Sequence, residues 1–185
     1  MDSKNMLGFF HLLENLKKTK RTGWINNNIP MPESISDHMY RMALMAMAVN
    51  DQTLDINRCI KIALIHDIAE SIVGDITPFD NISKEEKYTL ELNGILKIKE
   101  LLKDSPLQDE IEPLWKEYEL CETAEAKLVK DLDKFEMITQ AYEYEVAHKI
   151  SLQSFFDSSL KKIEHPVVVT WAHDLSKKRE SMKPQ

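Results

Sequence analysis

Residues 62–76 read Ile62-Ala63-Leu64-Ile65-His66-Asp67-Ile68-Ala69-Glu70-Ser71-Ile72-Val73-Gly74-Asp75-Ile76. The segment is apolar enough to be a buried helix, yet it carries an imidazole and three carboxylates. Burying an ionised carboxylate without a partner is unfavourable, because no apolar group replaces its hydration. One divalent cation is the simplest compensation, since it binds imidazole and carboxylate groups together. The segment therefore predicts a core helix that carries a metal site.

The composition of the whole chain favours a single all-α domain over residues 1–185. The chain has 185 residues, of which 43% are hydrophobic and 30% charged, a size and balance typical of one globular domain. Only four glycines and seven prolines are present, which leaves few turn signals for hairpins. Apolar residues recur at three- and four-residue spacing, as in amphipathic helices.

Charge and cysteine content narrow the classes of partner. The net charge of -7 and the pI near 5.4 argue against a nucleic acid polymer as ligand, which requires a broad basic face. No apolar run approaches the length of a membrane span, so no membrane partner is expected. Cys59 and Cys121 form no CxxC pair and are interpreted as reduced thiols. These features predict a cytoplasmic protein, with the nucleus as an alternative.

Periodicity and end signals place the helices. Ser34 to Asp37 can cap one helix, Ser83 with Glu86 forms a capping box for another, and Thr123 can cap a long one. Helices are predicted at 5–18, from the 34–37 cap to about 50, and at 56–74, 84–103, 107–120, 124–148 and 166–180. Residues 22–34 are predicted to be a loop, and the polar tail after 179 to be frayed. The first helix is predicted to bury one stripe formed by Leu7, Phe10 and Leu13, with Leu16 as a further candidate.

A cation at this segment needs ligands from other helices. Within the predicted helix, His66 and Glu70 are four residues apart and would share one face. His38 lies in the first turn of the preceding helix, and Asp133 stands beside an expected core position on the long helix. Imidazole with carboxylate suits manganese, cobalt, iron or zinc better than calcium.

The ordered set His38, His66-Asp67 and Asp133 resembles the H…HD…D signature of the HD-domain metal-dependent phosphohydrolases. The chain is most similar to one branch, the HD-domain 5′-deoxynucleotidases. The matching blocks are Arg21-Thr22-Gly23-Trp24, residues 32–43, residues 63–70, residues 73–78 and residues 126–138. They span positions 21–138, about two thirds of the chain. The resemblance implies a single helical HD domain.

The resemblance also implies roles for individual residues. It implies that the main cation is bound by His38, His66, Asp67 and Asp133. It places Glu70, Asp75 and the Ile76 carbonyl at a second cation or at the attacking water. Arg21 and Trp24 match positions that hold a nucleotide. The implied substrate is a deoxynucleoside 5′-monophosphate, the implied cofactor is Mn²⁺ or Co²⁺ (with Mg²⁺, Fe²⁺ or Zn²⁺ as alternatives), and the implied assembly is a homodimer. Asp131 is a rival to Asp133, which the motif favours.

The residue types fit this chemistry independently of the family. A bound cation lowers the pKa of water and balances charge on phosphate oxygens. Glu70 or Asp75 could orient or deprotonate that water. Arg21 can grip phosphate with two N–H groups, and Trp24 could stack on a base or wall off the sugar.

Three alternatives stay open. The same cation could serve diester, triphosphate or alarmone hydrolysis, although the glycine-rich GYP element of cyclic-dinucleotide enzymes is absent. The fold could be a catalytically silent binding module, which predicts a lost ligand, and no motif position is missing. Asp75 could merely cap a turn. The second His-Asp pair, His173-Asp174, lacks a carboxylate four residues on and is interpreted as surface.

Overall fold

The computed structural model describes residues 3–77 and 80–182. Their regular structure is helical, which confirms the all-α prediction, and Lys20 pairs with Ser34 in an isolated backbone bridge. The helices are α1 (Ser3–Lys18), α2 (Thr22–Asn26), α3 (Ile35–Ala48), α4 (Ile56–Ile65), α5 (Glu70–Val73), α6 (Lys84–Leu101), α7 (Leu107–Leu120), α8 (Ala124–His148), α9 (Gln153–Ser159) and α10 (Pro166–Glu180), with a 3₁₀ turn at Leu160–Lys162.

The predicted caps start three of these helices. Ser34 accepts the Asp37 N–H and Asp37 accepts the Ser34 N–H, so a full capping box begins α3. Ser83 and Glu86 form the same reciprocal box at the start of α6. Thr123 accepts a backbone N–H at the start of α8. Each cap satisfies N–H groups that the first helical turn leaves without an intrahelical acceptor.

The prediction of one helix over 56–74 is wrong. α4 ends at Ile65, residues 66–69 form a turn, and α5 begins at Glu70. Within the turn the N–H of Ile68 donates to the Ile65 carbonyl at 3.0 Å, and the N–H of Glu70 donates to the Asp67 carbonyl at 3.0 Å. Hydrogen bonds between residues three apart wind the backbone more tightly than in an α-helix. His66 and Glu70 therefore do not share a face of one helix. Gly74, with φ of 78°, ends α5 as predicted.

Two other predictions also need correction. Residues 22–34 contain α2, where the pattern predicted a loop. In α1, Leu16 is buried as predicted, but Phe9 is buried as well, whereas Leu7 and Phe10 are 55% and 56% exposed. Between α8 and α10, a segment for which no helix was predicted contains α9. Gly8 of α1 lies against α6, since an ideal Cβ built on Gly8 would lie 3.4 Å from the Leu101 side chain.

A continuous cluster of buried apolar side chains joins the helices. It includes Phe9 of α1, Trp24 of α2, Ile98 of α6, Trp115 of α7 and Val168 of α10. α3 packs against α4 and α8, and the turn at 66–69 lies beside them. α6 approaches that turn closely, because Gly94 places its backbone next to Ala69. Among the described helices, none has the length and apolar character needed to cross a bilayer.

Candidate metal and phosphate site

Three separated segments bring the four predicted cation ligands together. His38 comes from the first turn of α3, His66 and Asp67 from the turn after α4, and Asp133 from the middle of α8. His38 Nε2 lies 3.4 Å from Asp133 Oδ1 and 3.9 Å from Asp67 Oδ2. His66 Nε2 lies 3.1 Å from Asp67 Oδ2. One ligand atom each of His38, His66 and Asp67 lie within 4.8 Å of one another, and Asp133 lies beside His38.

Both histidines are held by their outer nitrogens. His66 Nδ1 lies 2.9 Å from the Ala63 carbonyl, which fixes Nδ1 as the donor. His38 Nδ1 pairs with the carboxylate of Glu136. The inner Nε2 atoms of both rings are buried and make no hydrogen bond to any group in the described part of the chain. Two free imidazole nitrogens beside two carboxylates form a donor set that fits a divalent transition metal.

The charges favour ionised carboxylates. Burial raises the pKa of Asp67, but His66 and Arg21 outweigh burial and hold this pKa below its usual range. The pKa of Asp133 is likewise held well below its usual range, because His38, His66 and Arg21 outweigh burial. Without a cation, burial lowers the pKa of His38, yet Glu136 and Asp133 raise it to about 9. A proton on His38 therefore competes with a cation for the same nitrogen.

Arg21 points into the same space from the start of α2. Its Nη1 donates to Asp67 Oδ2 at 3.2 Å, and its Nη2 lies 4.0 Å from Asp133 Oδ1. Burial lowers the pKa of Arg21, but Asp67 and Asp133 raise it by more than burial lowers it. The net pKa is above its usual range, so the guanidinium is charged. A guanidinium beside a cation site is suited to bind phosphate oxygens.

Glu70 and Asp75 also line this space but have different partners. Glu70 is 4% exposed, and its Oε2 has no hydrogen bond to the described residues. Burial, then Asp67 and Asp75, raise the pKa of Glu70 well above its usual range. Asp75 Oδ2 accepts the Thr22 N–H at 2.6 Å, and the Thr22 hydroxyl donates to the Asp75 carbonyl at 2.9 Å. Asp75 therefore fastens the start of α2, which carries Arg21.

Ile76 and Trp24 lie outside the residues that line the cavity. The Ile76 carbonyl accepts a hydrogen bond from Lys87 Nζ at 3.0 Å. Trp24 is 1% exposed, and its indole N–H donates to Glu33 at 2.8 Å. Its ring lies 4.5 Å, centroid to centroid, from that of Phe155. Trp24 therefore packs in the core against Phe155 and presents no exposed ring face to a base.

Four residues at the site were missed by the sequence reasoning. Glu136 holds His38, and Tyr118 donates its hydroxyl to Asp133 Oδ2 at 2.7 Å. Lys87 and Glu91 of α6 lie 3.5 Å apart. Glu136 was detectable in principle, since it follows Asp133 by three positions on one helix. The α6 pair gave no signal, because a Lys-x-x-x-Glu pair is ordinary on a solvated helix.

The site opens into a cavity of about 260 Å³. Its lining residues are Arg21, His66, Asp67, Glu70, Asp75, Lys87, Glu91, Tyr118, Glu119, Lys130, Asp133, Lys134 and Met137. Six of these are carboxylic acids and four are lysine or arginine.

The rival residue Asp131 and the second His-Asp pair lie outside the candidate cation site. Asp131 is 5% exposed, and its Oδ2 accepts the N–H groups of Glu164 and His165, each at 2.8 Å. The Asp131 carboxylate therefore binds the backbone at the start of α10 and does not belong to the candidate cation site. The side chains of His173 and Asp174 are 62% and 71% exposed.

Fold and site together define a helical protein with an HD-type cation site. A family model described as HD domain matches residues 13–171, and the chain belongs to this family. It is 50% identical to "5′-deoxynucleotidase HDDC2" of Dictyostelium discoideum, over 95% of this chain and 99% of that protein. It is 48% identical to the Homo sapiens protein of the same name, over 97% and 88% of the two chains. The solved structure of "HD domain-containing protein YGK1" is 32% identical, with a TM-score of 0.72 over 96% of this chain and 86% of that one.

Proposed function

We propose that this chain is a divalent-cation-dependent phosphomonoesterase that hydrolyses deoxynucleoside 5′-monophosphates to deoxynucleoside and phosphate. One observation carries the proposal: Arg21, His66, Asp67 and Asp133 line one small cavity, and His38 lies directly behind them, with its Nε2 3.4 Å from Asp133 Oδ1. The deoxynucleotide specificity is supported by the names of relatives that share about half of the sequence.

The cation would be held by His38, His66, Asp67 and Asp133. When bound, it supplies Lewis acidity toward the phosphate and lowers the pKa of water in the site. Two imidazole nitrogens with two carboxylates support Mn²⁺ or Co²⁺ as the ion, ahead of Mg²⁺, which prefers an all-oxygen shell with several waters.

The chain's own groups then have distinct tasks. Arg21 binds phosphate oxygens and orients the ester. Glu70 accepts a proton from the attacking water, since its buried Oε2 faces the cavity without another partner. Water oxygen bonds to phosphorus, the bond from phosphorus to O5′ breaks, and O5′ takes up a proton. Asp75 positions Arg21 through Thr22, and Trp24 supports the same segment from the core.

The direct test is phosphate release from purified, metal-free protein given Mn²⁺ or Co²⁺. The panel contains deoxynucleoside and ribonucleoside 5′-monophosphates, a deoxynucleoside triphosphate, a phosphodiester and an alarmone. Release from the deoxynucleoside monophosphates alone, lost on chelation, is expected. A metal-loaded protein that releases no phosphate from any 5′-monophosphate would refute the proposal.

Two substitutions separate binding from turnover. Asp67→Ala is expected to lose the cation and the activity together, because it removes a ligand. Glu70→Ala is expected to keep the main cation and lose turnover by about 10²-fold or more, as for a general base. Asp174→Ala, in the exposed second His-Asp pair, serves as the matched control and should change neither. Elemental analysis that finds full metal in Asp67→Ala would contradict the assignment.

We infer three further properties. The whole chain, 1–185, forms one domain, supported by the shared apolar core. It acts as a homodimer, supported by an exposed apolar stripe on α3 in which Tyr40, Leu44 and Met47 are 64%, 46% and 62% exposed. It acts in the cytoplasm, with the nucleus as an alternative, supported by free Cys59 and Cys121. Light scattering with Tyr40→Lys, which would introduce charge into the stripe, tests the dimer.

A further inference from the structure

A tyrosine of α7 contacts two of the predicted cation ligands. Tyr118 is 5% exposed and belongs to the lining of the cavity. Its hydroxyl oxygen lies 2.7 Å from Asp133 Oδ2. Its ring lies 4.6 Å, centroid to centroid, from the imidazole of His66. Because α7 supplies none of the four predicted ligands, Tyr118 connects a further helix to the turn after α4 and to α8.

The two oxygens of Asp133 have different partners. An ionised carboxylate only accepts hydrogen bonds, so the Tyr118 hydroxyl is the donor to Oδ2. Oδ1 instead lies 3.4 Å from His38 Nε2 and 4.0 Å from Arg21 Nη2. One oxygen is therefore engaged by Tyr118, and the other is directed at the candidate cation site. A carboxylate can bind a cation through one oxygen or through both, and this arrangement leaves Asp133 with one.

Contacts on the ring hold the Tyr118 hydroxyl in this direction. The Lys130 ammonium lies 3.5 Å from the centroid of the ring, close enough for a cation–π attraction. The same ammonium lies 3.7 Å from Glu119 Oε1, which keeps it near the ring. Together with the contact to His66, these groups restrict the ring, so the hydroxyl is aimed at Asp133 by packing as well as by its own hydrogen bond.

We infer that Tyr118 is a positioning residue of the cation site, whose hydroxyl keeps Asp133 in the orientation in which Oδ1 alone faces His38. The inference rests on the cation site of the proposed function but not on its substrate. Without the hydroxyl, Asp133 can turn, and both of its oxygens can approach the site. A tyrosine that only filled the core would act differently, because phenylalanine fills the same space and would preserve cation binding.

The experiment compares cation binding by full-length wild type and Tyr118→Phe, which keeps the ring and removes the hydroxyl. Metal-free protein is titrated with Mn²⁺ by calorimetry, and the visible absorption of the Co²⁺-loaded protein reports the number and geometry of the ligands. Tyr142→Phe is the matched control, because Tyr142 is 8% exposed and its hydroxyl donates to Met182 Sδ at 2.8 Å. Circular dichroism of the metal-free proteins verifies that each variant is folded.

Tyr118→Phe is expected to bind Mn²⁺ about 10- to 100-fold more weakly than wild type, because Asp133 must then be ordered when the cation binds. Its Co²⁺ spectrum should differ in intensity from that of wild type, since both Asp133 oxygens become available. Tyr142→Phe should match wild type in both measurements. Wild-type affinity or a wild-type spectrum in a folded Tyr118→Phe would overturn the inference.

Tyr118→Met removes the hydroxyl in a second way, with a flexible side chain that fills core gaps, and keeps the test decisive if Tyr118→Phe does not fold. Wild-type protein that binds no Mn²⁺ would overturn the cation site and the inference with it. Wild-type protein that binds Mn²⁺ but releases no phosphate would instead count against the proposed function alone.

Discussion

At the scale of single residues, the histidines are prepared for a cation by the groups behind them. Glu136 is completely buried and pairs with His38 Nδ1, while Arg41 Nε donates to Glu136 at 2.7 Å. This arrangement directs the His38 lone pair inward. Outer carboxylates of this kind orient a ligand and raise its basicity, so they affect affinity without touching the ion.

Glu136→Gln is therefore expected to weaken Mn²⁺ binding by about 10- to 100-fold. The amide can present its N–H₂ group to Nδ1, which favours the tautomer with the proton on Nε2. Calorimetric titration of metal-free protein measures the change. Glu143→Gln is the control, because Glu143 also binds Arg41 but its side chain is 49% exposed. Equal affinity in Glu136→Gln and wild type would contradict this role.

Glu91 makes stability depend on pH. Burial raises the pKa of Glu91 to about 7, although Lys87 opposes the change, against 4.5 as its ordinary value. Because the folded-state pKa is raised, the stabilisation is fully present below pH 4.5 and is lost as pH rises through 7. Glu91→Gln should lack this loss. From pH 5 to pH 8, the unfolding free energy of Glu91→Gln should increase relative to that of wild type by about 3 kcal/mol.

Urea unfolding of metal-free protein at pH 5 and pH 8 measures this difference. Glu100→Gln, at an exposed position on the same helix, is the matched control and should follow wild type at both pH values. Parallel pH profiles for Glu91→Gln and wild type would show that Glu91 titrates normally.

At the scale of the elements, the break between α4 and α5 is the decisive feature. A continuous helix would carry His66 and Asp67 on different faces, about 100° apart. The three-residue turns at 66–69 instead let both side chains approach one point, with His66 Nε2 and Asp67 Oδ2 3.1 Å apart. The helical pattern of the sequence continues through the break, which is why periodicity alone predicted one helix.

The two aspartates near the middle of α8 serve different elements, and their variants should separate accordingly. Asp131→Ala removes the acceptor for two backbone N–H groups at the start of α10 and should destabilise the fold by about 2–3 kcal/mol. Its Mn²⁺ stoichiometry should be unchanged. Asp133→Ala should lose the cation, with a smaller change in metal-free stability because its side chain is 27% exposed. Loss of Mn²⁺ in a folded Asp131→Ala would reverse the assignment.

At the scale of the whole molecule, the proposed cation would connect α3, the turn after α4 and α8, which are distant in sequence. An ion that binds only the folded state stabilises it, by about 2.7 kcal/mol at a concentration of 100 times Kd. For a chain of this size we expect the melting temperature to rise by about 5–10 °C. Scanning fluorimetry with EDTA and then Mn²⁺ tests this effect. Asp67→Ala should show no rise, and Asp174→Ala the full rise.

The sequence was most informative at the ends of helices, where capping residues have a specific role. The Ser34–Asp37 and Ser83–Glu86 boxes marked helix starts correctly, and Gly74 marked the end of α5. It failed where packing overrides periodicity. α1 buries Phe9 instead of Phe10, and Asp75, far along the chain, accepts the Thr22 N–H at the start of α2. Neither contact is readable from local pattern.

The sequence by itself determined that this chain is helical and that charged residues enter its core, and it predicted a cation that balances them. These conclusions follow from composition, spacing and the free energy of burying charge, which are local properties. Only the tertiary structure decided which groups the buried carboxylates and Lys87 contact. Asp75 fastens α2, Asp131 fastens α10, Glu136 holds His38, and Lys87 reaches the Ile76 carbonyl. Such pairings join residues far apart in the chain, so they depend on how the helices pack.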